Sequence, residues 1–435
     1  MLDNELRDHL RSDFFDPPLI EFLNEIEIDE GVLLFYYIKK PLFSLGVALL
    51  SNDHPSKIVW VKNEPLWRTC EKIKPIKMSY DRHQINFYFK LGREKCFIDF
   101  SLEDLLQHKI KKTPDVFQRI KHNPILQPIE AHHWESAYVF NPAALMLDNK
   151  VHFVYRAIGE SDTSVFGYAS SQDGMHIDER YSEPIFFHTD APPHAHDQKN
   201  LVYTSGGSYC GCEDPRLVKI HDTIYMTHTV VDGYSAPYMS LTSIHIDDFL
   251  NKRWLWSQPI RLSPTGEQHK NWVIFPELLN NQYAILHSIT PNVCIDYFPS
   301  LSFNQSPYIK SQHYSYGRQA YWDNWVRGVG PSPIKIDDGW LVLYHAMDRS
   351  DPNRYKLGGM ILDKDEPTKI LHRANMPLLE PDEYYENQGF KSGVIYVCGA
   401  ILMEEKVFIY YGGADSVICA AQAPLGDVIK QIKQG

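Results

Sequence analysis

The chain has 435 residues, enough on a scale of roughly 100 to 200 residues per domain for one large β architecture or two domains, and too many for a peptide-sized module. With 43% hydrophobic, 13% aromatic and 23% charged side chains it can bury a substantial core, which excludes a disordered chain. Its 55 acidic against 43 basic side chains leave a net charge of -12, the wrong sign for a protein that grips nucleic-acid phosphates on a broad basic face.

The opening MLDNELRDHL is charged from its third residue and has no apolar h-region. No later stretch reaches the roughly 18 uninterrupted apolar residues that a membrane span needs, so a cytoplasmic protein with no membrane partner is expected. Seven cysteines, odd in number and mostly scattered, point to reduced thiols rather than a disulfide framework.

In chain order, residues 1–118 predict an α+β accessory domain. LRDHLRSDFF and SLEDLLQHKIKK have helix-like spacing, while GVLLFYYIKK, KIVWVK, INFYFKL and KCFIDF read as strands. The boundary is expected between Lys111 and Arg119, and no catalytic motif falls before it. From Ile120 onward short apolar or alternating runs are bounded by Gly, Asp, Asn and Pro, the mark of short strands joined by tight turns. Five segments share one plan: VHFVYRA from Val151, TIYMTHT from Thr223, QYAILHS from Gln282, WLVLYHA from Trp340 and VFIYYGG from Val407. Each is followed by a second strand-like run: SVFGYASSQDG, MSLTSIHIDDF, NVCIDYF, LGGMILDKDEP and VICAAQAPLGD. A four-stranded propeller blade needs roughly 40 to 50 residues, so the pattern predicts a mostly β fold, a five-bladed β-propeller over 119–435, with a β-sandwich pair as the alternative topology.

The most informative stretch is Gly211-Cys212-Glu213-Asp214-Pro215-Arg216. A proline after Asp214 predicts an extended aspartate, and Arg216 can orient a carboxylate or a sugar hydroxyl. Such an aspartate can serve as an acid, or simply as a turn residue paired to the arginine. Taken together, VFNPAAL, VYRAIGE, SSQDG, CEDPRL, KNWVIFPE, GVGPSPI, GWLVLYH and YYGGAD resemble glycoside hydrolase family 130, in the family's order and over about residues 118 to 430.

That resemblance implies a five-bladed propeller that acts on β-mannoside oligosaccharides with inversion, passing the mannosyl group to inorganic phosphate or, in a smaller subset, to water. It implies no cofactor and no metal, with phosphate as co-substrate of a phosphorylase. Asp214 matches the family's acid, which reaches the leaving oxygen through a hydroxyl of the bound mannose. Asn141, Arg156, Arg216 and Asp415 fall at sugar-binding positions, and Lys270, His345 and Glu277 on the nucleophile side. An inverting phosphorylase needs cations around the phosphate dianion and no protein base, whereas a hydrolase needs a carboxylate to activate water. Two of the family's cationic positions depart, holding Ser288 and Val326, with Arg327 beside the latter. Hydrolysis is therefore expected ahead of phosphorolysis, with Glu277, Glu267, Asp323 and Glu213 as the carboxylates from which a base would come. A catalytically silent propeller binding a glycan or a protein is the reading from another class.

Tyr321, Trp322 and Trp325 form either core or a platform for a sugar face. His194-Ala195-His196 and His132-His133 lack the spacing of a tetrahedral metal site, and Cys210-Gly211-Cys212 lacks that of a redox pair. There is no GxSxG, Walker-type loop or GxGxxG. Linkage, aglycone and oligomeric state are not legible, so a homo-oligomer stays open.

Overall fold

The computed structural model describes residues 115–188, 210–303, 321–349 and 351–434, with 305, 307–311 and 317–318 between them. Ahead of these it describes 20–28, 31–38, 43–51, 58–61, 66–69, 73–81, 83–102 and 105. The chain divides into two compact units: Met1–Pro114 with Asp382–Gly393, and Asp115–Pro381 with Val394–Gly435. The assignment of Asp382–Gly393 to the first unit has no counterpart in the sequence pattern.

The first unit holds two antiparallel sheets. One runs in the order β1 (Ile20–Ile28), β2 (Gly31–Ile38), β3 (Phe43–Leu50), β4 (Ile58–Val61), with β5 (Trp67–Thr69) also on β3. The other is the meander β6 (Ile73–Asp81), β7 (Gln84–Leu91), β8 (Glu94–Ser101). All four strand-like runs of this region are strands. Of the two helix-like segments, the first lies outside the described residues, and only Ser101, Leu102 and Leu105 of the second are described.

The second unit is mostly β, and its repeats are antiparallel meanders. After the short β9 (Gln118–Arg119) come β10 (Tyr138–Leu147), β11 (Lys150–Ile158) and β12 (Thr163–Ser171), with β13 (Glu179–Arg180) paired to β12. The second meander is β14 (Cys210–Ile220), β15 (Thr223–Val231), β16 (Tyr238–His245) and β17 (Ile260–Arg261). The third is β18 (Val273–Ile274), β19 (Tyr283–Ile289) and β20 (Val293–Phe298). The fourth comprises β21 (Trp325–Val329), β22 (Ile334–Ile336), β23 (Gly339–Asp348), β24 (Asp351–Leu362) and β25 (Ile370–Arg373), in which β21 and β22 both pair with β23. In the fifth, β26 (Ile395–Met403), β27 (Lys406–Gly413) and β28 (Val417–Pro424) are completed by β9, so the unit's first strand lies beside its last. The five repeat segments are β11, β15, β19, β23 and β27, and the runs that follow them are β12, β16, β20, β24 and β28.

These strands read as nearly continuous apolar runs because both faces are covered. An apolar cluster lies between each consecutive pair of meanders: Val154 and Phe166 with Leu217 and Met226, Val218 and Leu241 with Trp272 and Ile285, Phe275 and Leu286 with Trp340 and Tyr344, and Met347 and Tyr355 with Tyr396 and Cys398. A further cluster joins the last to the first, Phe408 and Tyr410 with Val151 and Phe153.

In four of the five meanders the first strand slips register at one place: between Phe140 and Ala143 in β10, Glu213 and Arg216 in β14, Val326 and Gly328 in β21, and Val397 and Gly399 in β26. Such bulges turn a side chain out of the sheet and bend the strand. Asn141 (φ 50°) and Asp214 (φ 53°) occupy two of them in left-handed backbone; Gly328 (φ 128°) borders a third, whose unpaired residue is Arg327, and Asn271 (φ 67°) is left-handed just ahead of β18. The extended geometry expected for Asp214 is thus corrected. A following proline disfavours the right-handed helical region, and here the bulge takes the left-handed alternative at both Asn141-Pro142 and Asp214-Pro215.

Candidate active site

The bulges meet. Asp214 is 5% exposed, and its Oδ1 accepts hydrogen bonds from Asn141 Nδ2 at 2.8 Å and Arg156 Nη1 at 3.5 Å. Burial works to raise the Asp214 pKa, but the fields of Arg156, Arg216 and Lys270, with the Asn141 amide, outweigh it and hold the carboxyl below its ordinary value. Asn141 Oδ1 is buried with no hydrogen-bond partner among the described residues, an acceptor suited to a sugar hydroxyl. Gly412 makes room for it, since a Cβ there would lie 2.2 Å from that oxygen.

Arg156, at the end of the first repeat strand and 1% exposed, donates from Nη2 to Glu213 Oε1 at 2.8 Å and from Nε to Ser164 Oγ at 2.8 Å. Glu213 Oε2 accepts from Lys270 Nζ at 3.0 Å. Asp415, in left-handed backbone after β27, adds its charge to the field on Arg156. Arg216 does not pair with the Asp214 carboxylate as the sequence suggested. It donates to the backbone carbonyls of Asp214 and Gly330, each at 2.7 Å, and to Asn271 Oδ1 at 2.9 Å, fastening neighbouring bulges together. Tyr396 donates its hydroxyl to the same Asn271 oxygen at 2.6 Å.

His345 stacks on the Tyr396 ring with centroids 4.2 Å apart, and its Nε2 accepts from the Val397 N–H at 2.8 Å. The proton of the neutral ring therefore sits on Nδ1, which has no hydrogen-bond partner among the described residues. Burial, reinforced by Arg216, pushes its pKa down to about 3, so His345 serves as a neutral donor.

Beside this network opens a cleft lined by Lys270, Asn271, His287, Ser288, Ile289, Thr290 and residues 326–329. No carboxylate is among the described residues that line it. Arg327 stacks over Trp325 at 5.0 Å and Tyr355 at 5.5 Å, and among the described residues it makes no ion pair. The four candidate bases are occupied elsewhere. Glu277 is not brought to the cluster but pairs with Lys335, both nearly half exposed. Glu267 is 60% exposed and pairs with His269. Asp323 is fully buried between Arg318 at 3.0 Å, Arg373 at 2.8 Å and the Tyr344 hydroxyl at 2.8 Å. Glu213 spends both oxygens on cations. The structure gathers Asn141, Arg156, Asp214, Arg216, Lys270, His345 and Asp415, and leaves Glu277 out.

Among the aromatics, Trp322 is core, stacked with Tyr344; Trp325 carries Arg327, and Tyr321 lies 40% exposed beneath Arg318. His132 pairs with buried Glu135, and His133 with Glu160. His194 and His196 lie outside the described residues, among which no group of three or more His, Cys, Asp or Glu is placed to hold a metal. Cys210 and Cys212 are buried, with Cys210 Sγ 3.5 Å from the Thr163 hydroxyl and Cys212 Sγ 3.5 Å from the Ser164 carbonyl. Sequence reasoning missed Asn271 and Tyr396. Asn271 stands where Asn141 and Asp214 stand in their meanders, so aligning the strands ahead of the repeats would have found it; Tyr396 carries no such signal.

The glycoside hydrolase family 130 model, described as a β-1,4-mannooligosaccharide phosphorylase, matches residues 107–434. A 1,2-β-oligomannan phosphorylase of Thermoanaerobacter sp. (strain X514) is 31% identical over 323 residues, covering 72% of this chain and 98% of its own. A β-1,2-mannobiose phosphorylase of the same organism is 30% identical over 316 residues, covering 70% and 95%. A solved structure reported with family 130 glycoside hydrolases that target β-1,2 mannosidic linkages in Candida mannan aligns with a TM-score of 0.58 at 24% identity, over 72% of this chain and 96% of its own. That last likeness bears on the fold alone.

Proposed function

We propose phosphorolysis from one premise: the chain belongs to glycoside hydrolase family 130. It is an enzyme, a β-mannosidase or a β-mannoside phosphorylase, and our reading is the phosphorylase, acting on β-1,2-linked mannooligosaccharides with inorganic phosphate as co-substrate. This reverses the order expected from the departures at Ser288 and Val326. The observation that carries it is the cleft, which is lined by Lys270, Arg327, Ser288 and Thr290 and, among the described residues, by no carboxylate. A water nucleophile needs a base there; a phosphate dianion needs cations and brings its own charge. Arg327, next to Val326, stands in for a missing family cation, with a planar fork that suits phosphate oxygens. The activities of the 31% and 30% identical relatives favour the same reaction and the β-1,2 linkage.

In this reading the five meanders are the blades of a propeller, and the bulges line its axis. Asn141, Arg156 and Asp415 hold the terminal mannose. A phosphate oxygen forms a bond to C1 on one face as the C1–O bond to the aglycone breaks on the other. The Asp214 proton passes to the leaving oxygen through a mannose hydroxyl, giving mannose 1-phosphate and a saccharide shorter by one unit. Incubating the protein with β-1,2-mannobiose, with and without phosphate, and following the products by phosphorus and proton NMR tests the proposal. Mannose 1-phosphate formed only with phosphate is expected. Free mannose at the same rate in either buffer would restore the hydrolytic reading, and inertness toward all mannosides would favour a binding module.

A further inference from the structure

Four buried or half-buried groups alternate in sign between the acid and the cleft. Asp214 faces Arg156 at 3.5 Å, Arg156 faces Glu213 at 2.8 Å, and Glu213 faces Lys270 at 3.0 Å, with Lys270 lining the cleft. Glu213 is fully buried and the Arg156 side chain 2% exposed, so little water screens the row. Two donors converge on Asp214 Oδ1, one of them the Arg156 cation, which favours the ionised carboxylate. An ionised Asp214 has no proton to give, yet the proposed reaction needs one.

We infer that anion binding in the cleft and protonation of Asp214 are coupled: the dianion draws Lys270 from Glu213, Glu213 turns its charge on Arg156, and Asp214, relieved of that guanidinium, takes a proton from solvent. The inference rests on the phosphorolytic reading and deepens it. Glu213 becomes the positioning residue that carries the signal. The other groups around Asp214 are poor recipients of the proton. Arg216 is a fixed cation on its backbone carbonyl, and Asp415 acts on Arg156. Burial keeps the hydroxyl of Tyr396 and the thiols of Cys212 and Cys398 already protonated, and His345 neutral. The lowered pKa of Asp214 in the free enzyme, held down against burial by Arg156, Arg216 and Lys270, agrees with this order. The coupling also gives a reason for preferring phosphate to water, since the acid is armed only when the anion is bound. By linkage, protonation tightens anion binding by the same factor.

The test is calorimetric titration of the free enzyme near neutral pH with sulfate, which carries two negative charges and no proton titrating there, in two buffers of different ionisation enthalpy. Uptake approaching about one proton per sulfate is expected. Asp214→Asn should bind sulfate with the uptake lost, and Glu213→Gln should bind it with the uptake at least halved. Sulfate binding without proton uptake overturns the coupling and leaves the phosphorylase standing; so does uptake that persists in Asp214→Asn, which would place the proton on another group such as Glu213 or His287, the latter lining the cleft. If neither sulfate nor phosphate binds, the anion cleft fails and the coupling with it.

Discussion

Arg327→Ala removes a cation that lies over two aromatic faces. The guanidinium lies over Trp325 and Tyr355 and makes no ion pair among the described residues, and in the proposed reaction a bound phosphate supplies its counter-charge. A charge-assisted hydrogen bond of this kind contributes about 1.5 to 3 kcal/mol, which corresponds to roughly a 10- to 150-fold rise in KM for phosphate. The KM for mannoside should hold, because Asn141, Arg156 and Asp415 are untouched. Loss of the stacking costs about 0.5 to 1 kcal/mol of fold stability per face, too little to unfold a domain with this much buried surface. Initial rates over a grid of phosphate and mannobiose concentrations separate the two constants, and Arg327→Lys, which keeps charge without the fork, should fall between wild type and Ala. A phosphate KM within about twofold of wild type, or an equal rise in both constants, would refute the assignment of Arg327 to the anion.

Asp323→Asn leaves Arg318 and Arg373 facing each other across a neutral amide, a loss of about 3 kcal/mol; thermal melts should show it while kcat of the folded enzyme stays near wild type, and a catalytic loss without a melting shift would return Asp323 to the list of bases. Gly358→Ala places a Cβ 2.4 Å from the Tyr344 ring and should cost about 1 to 3 kcal/mol; an unchanged melting point would show that the Tyr344 ring moves freely. Stability should also fall in mild acid. His345, driven by burial to about 3, and His228, driven well below its ordinary value by burial and by His188, stay neutral in the fold while their unfolded counterparts charge below about 6.5. Their share of stability is therefore complete above that pH and drains as pH falls toward the folded values, at about 1.4 kcal/mol per unit for each. Urea midpoints at neutral pH and near pH 5 read this out, and midpoints that do not move would contradict it.

The meanders were legible because buried strands are written in apolar and aromatic residues at short spacing, and β11, β15, β19, β23 and β27 carry that signature fully. The site was legible only where a motif resemblance reached it. Asn141 and Asp214 lie one strand earlier, on bulges whose left-handed backbone answers to contacts far along the chain rather than to neighbours. Asp214 illustrates this: Pro215 makes a local argument for extension, and the convergence with Asn141 and Arg156 sets φ at 53°. Tyr396 reaches Asn271 across 125 residues, a distance over which no local pattern speaks. Glu277 misled for the opposite reason, since a carboxylate close to a matched motif in sequence can still point to the surface and to Lys335.

Asp214→Asn tests the central claim most directly when two leaving groups are compared under saturating phosphate. Removing a positioned acid should lower the rate on β-1,2-mannobiose by at least about a hundredfold, while a nitrophenyl β-mannoside, whose phenolate departs without a proton, should lose far less. Near wild-type turnover of mannobiose by the variant, or an equal loss on both substrates, would contradict the assignment of Asp214 as the acid.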